Sequence, residues 1–162
     1  MIVICDASAL NYLCRIGHIE VMRSLFGKVV LPPAVVAEMS RQSTPESVRS
    51  FIASLPNWLE IDAAAQIEPS LAKLGAGERE VISLAIELHA DLVIIDDKAA
   101  RRAAERNGLN VLGTLGVLKL AAERNLVNLA TAVRQLCDSG FFMSEELLQS
   151  ILDPLQQNPP AD

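Results

Sequence analysis

The chain has 162 residues, 51% of them apolar, which is the size and composition of one compact domain with a proper core. A net charge of −6 excludes a protein that grips nucleic acid by bulk positive charge, but leaves room for a local basic rim or an acidic metal site. No apolar run approaches the ~20 residues of a membrane span, and the start, MIVICD, has no basic n-region or cleavage site, so a cytoplasmic protein without membrane association is expected.

Ile2 to Cys5 reads as a short buried strand ending on Asp6, with Ser8 as N-cap of a helix from Ala9 to Arg15. A second helix spans about His18 to Phe26. Lys28 to Leu31 is another strand, closed by Pro32-Pro33, and Pro33 suits the first turn of a helix that carries Glu38. Glu46 to Leu55 is helical, and Trp58 to Ile61 is a strand to set beside Leu31. The loop Leu74 to Gly77 runs into a strong helix, Glu78 to His89. Leu92 to Ile95 is an uninterrupted apolar strand, the mark of burial on both faces, and it stops at Asp96-Asp97 before a helix from Lys98 to Asn107. A short strand, Asn110 to Leu112, and three helices between Leu115 and Leu152 follow. Residues 1–153 then make one domain and residues 154–162 a flexible C-terminal tail. Alternating strands and helices imply parallel strands joined by right-handed crossovers, hence a three-layer α/β/α sandwich around a central parallel sheet.

Ligands of such sheets bind beyond the carboxyl ends of the strands, where this sequence puts Asp6, Asp96 and Asp97. Glu38 and Glu78 are the further candidates. Singly, each has a plainer reading: the aspartates as strand-end caps, Glu78 as a charge favoured by the helix dipole, Glu38 as a solvated helix acid. Together, carboxylates a few Å apart cannot all ionise without a counter-charge. An all-oxygen site with no nearby His or Cys suits Mg²⁺ or Mn²⁺, and metal-assisted phosphodiester hydrolysis is the reaction it could run. Lys98 and Arg101 can contact the phosphate backbone or belong to a solvated, salt-bridged helix face with Glu105. Cys5, Cys14 and Cys137 lack zinc or disulfide spacing and read as buried free thiols; His18 and His89 read as structural or surface residues.

Val3-Ile4-Cys5-Asp6-Ala7-Ser8, Leu31-Pro32-Pro33-Ala34-Val35-Val36-Ala37-Glu38, Gly77-Glu78-Arg79-Glu80-Val81-Ile82, Asp96-Asp97-Lys98-Ala99-Ala100-Arg101 and Gly113-Thr114-Leu115-Gly116-Val117-Leu118 occur in this order. In this set the chain resembles PIN-domain proteins, and within them the DUF3368 subgroup. The resemblance implies a Mg²⁺- or Mn²⁺-dependent ribonuclease, often the toxin of a toxin–antitoxin pair, with RNA as substrate, a small antitoxin as partner and a possible homodimer. It puts Asp6, Glu38, Glu78 and Asp96 on the acidic catalytic positions, with Asp97 as alternative or auxiliary metal ligand and Ser8 as a polar neighbour that could meet substrate. Two positions depart from the family's pattern: Ala7-Ser8-Ala9 stands for the usual Thr-Ser-Pro, and His89-Ala90 for a small Gly-Ala pair. The competing readings are a PIN-fold protein–protein interaction module with little turnover and a structure-specific DNA nuclease; no separate element for duplex or flap recognition supports the latter.

Overall fold

Five short strands form one parallel sheet: β1 (Val3–Cys5), β2 (Val29–Leu31), β3 (Leu59–Ile61), β4 (Leu92–Ile94) and β5 (Val111–Leu112). Their spatial order is β3-β2-β1-β4-β5. The computed structural model describes residues 1–157, and side chains through residue 153; residues 158–162, the end of the expected tail, lie outside the described residues. Among the described residues the α-helices are α1 (Ala7–Arg15), α2 (Glu20–Phe26), α3 (Pro33–Met39), α4 (Glu46–Ala53), α5 (Ala76–Leu88), α6 (Lys98–Arg106), α7 (Thr114–Glu123), α8 (Leu129–Asp138) and α9 (Glu145–Gln157). The architecture is a PIN-like α/β sandwich, and all five expected strands are present within a residue or two of their expected bounds.

β1 is the innermost strand, and every one of its side chains is fully buried, which is why it is continuously apolar rather than alternating. From β1 the chain winds outward through β2 to β3, then returns to β1's other side as β4 and winds outward again to β5. The reversal between β1 and β4 is a topological switch point, where the connections diverge and leave a crevice above the strand ends. Register sharpens this: Cys5 is level with Ile94, and the Asp6 amide donates to the Ile94 carbonyl at 2.9 Å. Asp6 and Asp96 therefore leave neighbouring strands at nearly the same height.

Several boundaries differ from the sequence reading. α1 starts at Ala7, so Asp6, in extended conformation, is the residue before its first turn, and Ser8 lies inside the helix instead of capping it. The strand feeds the helix with no intervening loop, which leaves no room for Ser8 to act as cap. α9 continues past Pro154 to Gln157, although the tail was expected to begin there; proline keeps a helical φ, so residues after it can propagate the helix at the loss of one hydrogen bond. The salt-bridged face expected on α6 does not form: among the described residues the ion pair is Lys28–Glu60, 2.7 Å apart between two exposed side chains. Arg101 turns instead toward β5's end, with Nη1 3.2 Å from where a Cβ on Gly113 would stand. Of the cysteines, all free, Cys5 is buried, but Cys14 and Cys137 are only half-buried.

Candidate active site

Above the carboxyl ends of β1 and β4 lies an open cleft of about 640 Å³. Asp6, Glu38, Glu78, Asp96 and Asp97 all line it, together with Ser8. Five acids from four separate segments of the chain thus reach one cavity. Asp6 comes off β1 and Asp96 and Asp97 follow β4, whereas Glu38 and Glu78 are carried by α3 and α5, which pack closely against each other. Gly77 permits that approach. A Cβ there would stand 2.9 Å from Glu38 Oε2 and 3.6 Å from Asp6 Oδ1, so the two carboxylates converge on a spot that only a missing side chain keeps open.

Three of the acids are already held by backbone amides or a hydroxyl. Asp96 accepts from the Thr114 amide at 2.8 Å and from the Thr114 hydroxyl at 2.6 Å. Thr114 is fully buried, so this two-point clamp fixes the Asp96 carboxylate at the head of α7. Gly113 leaves space for it, since a Cβ there would come within 2.9 Å of Asp96 Oδ1. Asp97 caps α6, accepting from the Ala100 amide at 2.9 Å. Glu78 folds back onto the Gly75 amide at 3.3 Å, stabilising the first turn of α5. Thus, of the two adjacent aspartates, Asp97 is the cap and Asp96 the clamped acid.

Asp6 is different. It is 5% exposed, and its Oδ1 has no hydrogen-bond partner. Burial is the chief reason its carboxyl is pushed up from 3.8 to about 7; the Ala7 amide opposes the shift, and the charges of Glu38, Glu78 and Asp96 add to it. Glu78 is also raised, first by burial and then by Asp97, against the pull of the Gly75 amide. The cleft is a concentration of negative charge, and within it the Oδ1 of Asp6 is buried without a hydrogen-bond partner.

Lys98 and Arg101 do not line the cleft; Lys98 is exposed on α6. The cleft's arginines are Arg15 and Arg41, from the end of α1 and the turn after α3. Asn11 and Tyr12 were missed as well, and Asn11 Oδ1, like Asp6 Oδ1, is buried without a partner. A signal existed: Ser8, Asn11, Tyr12 and Arg15 are spaced i, i+3, i+4 and i+7, one polar face of α1, while Ala9, Leu10 and Leu13 face the core. Thr114 also escaped notice, because nothing in a Gly-Thr pair marks the hydroxyl as a partner for an acid 18 residues earlier.

The family described as DUF3368, PIN domain, matches residues 2–157. The chain belongs to the PIN-domain family. A PilT N-terminus domain protein from the hyperthermophilic archaeon Sulfolobus solfataricus P2 is similar in structure, with a TM-score of 0.52 and 18% sequence identity over 90% of this chain and 98% of that one. At that identity the likeness is one of fold. No curated protein matches at a significant level. PIN domains are in general nucleases, and the fold here is of that nuclease type.

A divalent cation fits this PIN domain's cleft chemically. The donors are carboxylate oxygens, the hard ligands such ions take, and the orphaned Asp6 Oδ1 is an acceptor that lacks a positive partner. The expected ligands, Asp6, Glu78, Asp96 and Asp97, all line the cleft but differ in what their oxygens already hold. Among the described residues no three Asp, Glu, His or Cys side chains converge closely enough to ligate one ion. Glu78 and Asp97 each give one oxygen to a helix amide while still lining the cleft. Mg²⁺ takes only one or two carboxylates directly and keeps several waters, so Asp6 and either Glu38 or Asp96 are the residues that would hold such an ion.

Proposed function

We propose that this PIN domain is a Mg²⁺- or Mn²⁺-dependent endoribonuclease that hydrolyses RNA phosphodiester bonds. The observation that carries the reading is the buried, unpartnered Asp6 Oδ1 at the floor of a cleft walled by four further acids. A carboxylate in such a place destabilises the fold when ionised unless it works with a cation. When bound, the ion would supply Lewis acidity, making water a nucleophile at neutral pH and steadying the departing oxygen.

The chain's own residues would divide the remaining work. Asp6 and Asp96 offer oxygens from adjacent strand ends, and Thr114 keeps Asp96 from turning away. Glu38, at the cleft rim and free of the helix-end hydrogen bonds that occupy Glu78 and Asp97, is suited to orient the attacking water and accept its proton. Arg15 and Arg41 supply positive charge for the phosphates that flank the scissile bond. Ser8, in the first turn of α1, offers a hydroxyl to the same strand.

The biological role that the family resemblance favours is the toxin of a cytoplasmic toxin–antitoxin pair, held inactive by a small antitoxin and capable of pairing with itself. Calorimetric titration of Mn²⁺ into wild type and Asp6→Asn, beside cleavage of a mixed RNA pool, tests the enzymatic reading. Binding lost in the mutant together with metal-dependent cleavage supports it; no binding at millimolar ion overturns it. Growth arrest on induction, relieved by Asp6→Asn and by a co-expressed neighbouring gene product, tests the toxin role.

A further inference from the structure

The end of the cleft away from the acids carries a second cluster whose chemistry is different. The chain has one Trp, one Tyr and four Phe, and three of these six side chains, Tyr12, Phe141 and Phe142, line this one cavity. Phe141 stands edge-on to Tyr12, with ring centroids 5.2 Å apart and planes at 79°. The Arg15 guanidinium lies 5.7 Å from the Tyr12 ring centroid and donates through Nη2 to the Ser139 carbonyl at 2.7 Å. These contacts tie the loop after α8 to the last turn of α1. Gly140, at φ +101°, turns the chain there as an L-residue rarely does, and Phe142 follows it with 90% of its surface exposed.

Among the described residues Phe142 is the most exposed large apolar side chain, and it sits on a loop anchored to α1. From Asp6 to Arg15 the helix rise covers about 13 Å, so the ring stands a short way along the cleft from the acids. We propose that Phe142, which lines the cleft together with Phe141, Tyr12 and Arg15, is a stacking subsite for one unpaired base of the RNA strand. The inference rests on the nuclease reading above and assigns a positioning role within it. A base in a duplex is stacked on its neighbours, so a platform that takes a base onto a protein ring selects unpaired nucleotides. The charge pattern favours RNA over a protein partner: Arg15 and Arg41 line the same cleft as the rings, and arginines beside a stacking surface match a phosphate-linked base.

The test compares full-length wild type, Phe142→Ala and Phe142→Tyr. Fluorescence anisotropy without divalent ions measures affinity for a short single-stranded RNA, its duplex and an abasic ribose-phosphate strand of equal length; cleavage with Mn²⁺ gives KM and kcat. Phe142→Ala is expected to weaken single-strand binding and raise KM roughly 5- to 150-fold, with kcat near wild type, and Phe142→Tyr to restore both. Wild type should prefer the base-bearing strand to the abasic one, and Phe142→Ala should not. Unchanged affinity in Phe142→Ala, or equal binding of the single, duplex and abasic strands by wild type, overturns the subsite. So does a shift from dimer to monomer on sedimentation with RNA affinity intact, which assigns the ring to a contact between copies. If wild type cleaves no RNA but still discriminates among the strands through Phe142, the nuclease reading falls and the subsite stands.

Discussion

Replacing Asp6 with asparagine should stabilise the metal-free protein while removing its metal-dependent activity. Burial, reinforced by Glu38, Glu78 and Asp96, raises the Asp6 carboxyl from 3.8 to about 7, so the folded state holds its proton far more tightly than the unfolded chain does. The stability from that retained proton is complete below about pH 4 and disappears as pH rises through about 7. At roughly 1.4 kcal/mol per pKa unit, the ionised carboxylate costs the fold up to about 4 kcal/mol above neutrality. Asparagine has nearly the same shape and cannot ionise, so it escapes this cost. In EDTA, urea unfolding of the two proteins should give similar stabilities near pH 4. A gap in favour of Asp6→Asn should open between about pH 4 and pH 7 and level off near pH 8 at about 2–4 kcal/mol. Added Mn²⁺ should close the gap from the wild-type side only, since an ion bound by the folded state alone stabilises by RT ln(1 + [L]/Kd). A mutant no more stable than wild type at pH 8, or a gap that does not change with pH, would refute the account of Asp6 as a buried acid awaiting a cation.

Thr114→Val removes the hydroxyl that donates to Asp96 Oδ2 while keeping the volume, and should cost about 1–2 kcal/mol in urea unfolding and weaken Mn²⁺ binding roughly 10-fold. Wild-type metal affinity in this variant would show that the Thr114 amide suffices to hold the acid. Gly77→Ala places a methyl within 2.9 Å of Glu38 Oε2 and over Asp6. Alanine's helix propensity should leave the thermal midpoint within a few degrees of wild type or above it, while cleavage falls at least about 10-fold as Glu38 is displaced; retained cleavage would mean that Glu38 has no part in it. His89 holds a left-handed conformation, φ 51° and ψ 51°, at the end of α5. His89→Gly should stabilise by about 0.5–1 kcal/mol without touching activity, and a destabilised variant would show that the imidazole makes a contribution of its own.

The backbone conformation of His89 accounts for a family departure in physical terms. The helix-to-strand turn before β4 demands a positive φ, which is the reason for a usual glycine, and histidine meets the demand at a local energetic cost without altering any acid. Much of the sheet was legible for a similar reason: β1 and β4 are buried on both faces, so their apolar runs could belong to little else, and each ends on an aspartate. The helix starts were less so. Whether Asp6 or Ser8 precedes the first turn of α1, and whether Asp96 or Asp97 caps α6, depends on where the backbone leaves the strand, a matter of one residue that composition does not encode.

The cations that line the cleft were harder to read, and the reason lies in the geometry of the sheet. Lys98 and Arg101 attracted notice because they follow the aspartate pair directly; α6 carries Lys98 into solvent, whereas Arg101 Nη1 and Asp96 Oδ1 both flank the space at Gly113. Arg15 reaches the cleft because it lies seven residues, about two helical turns, beyond Ser8 on the same face of α1, and Arg41 because it lies in the turn just after α3, three residues beyond Glu38. Chain proximity runs along helices that descend from the strand ends, whereas the cleft runs across them, along the polar face of α1 and over to a loop some 130 residues later. The acids could be found at strand ends because the topological rule fixes where strand ends meet. Phe142 obeys no such rule. Its place beside Phe141, the ring that meets Tyr12, is set by how α8 packs on α7 and α7 on α1, a third-order consequence of core packing, so a residue that governs which RNA enters would be the one that sequence pattern alone is least able to find.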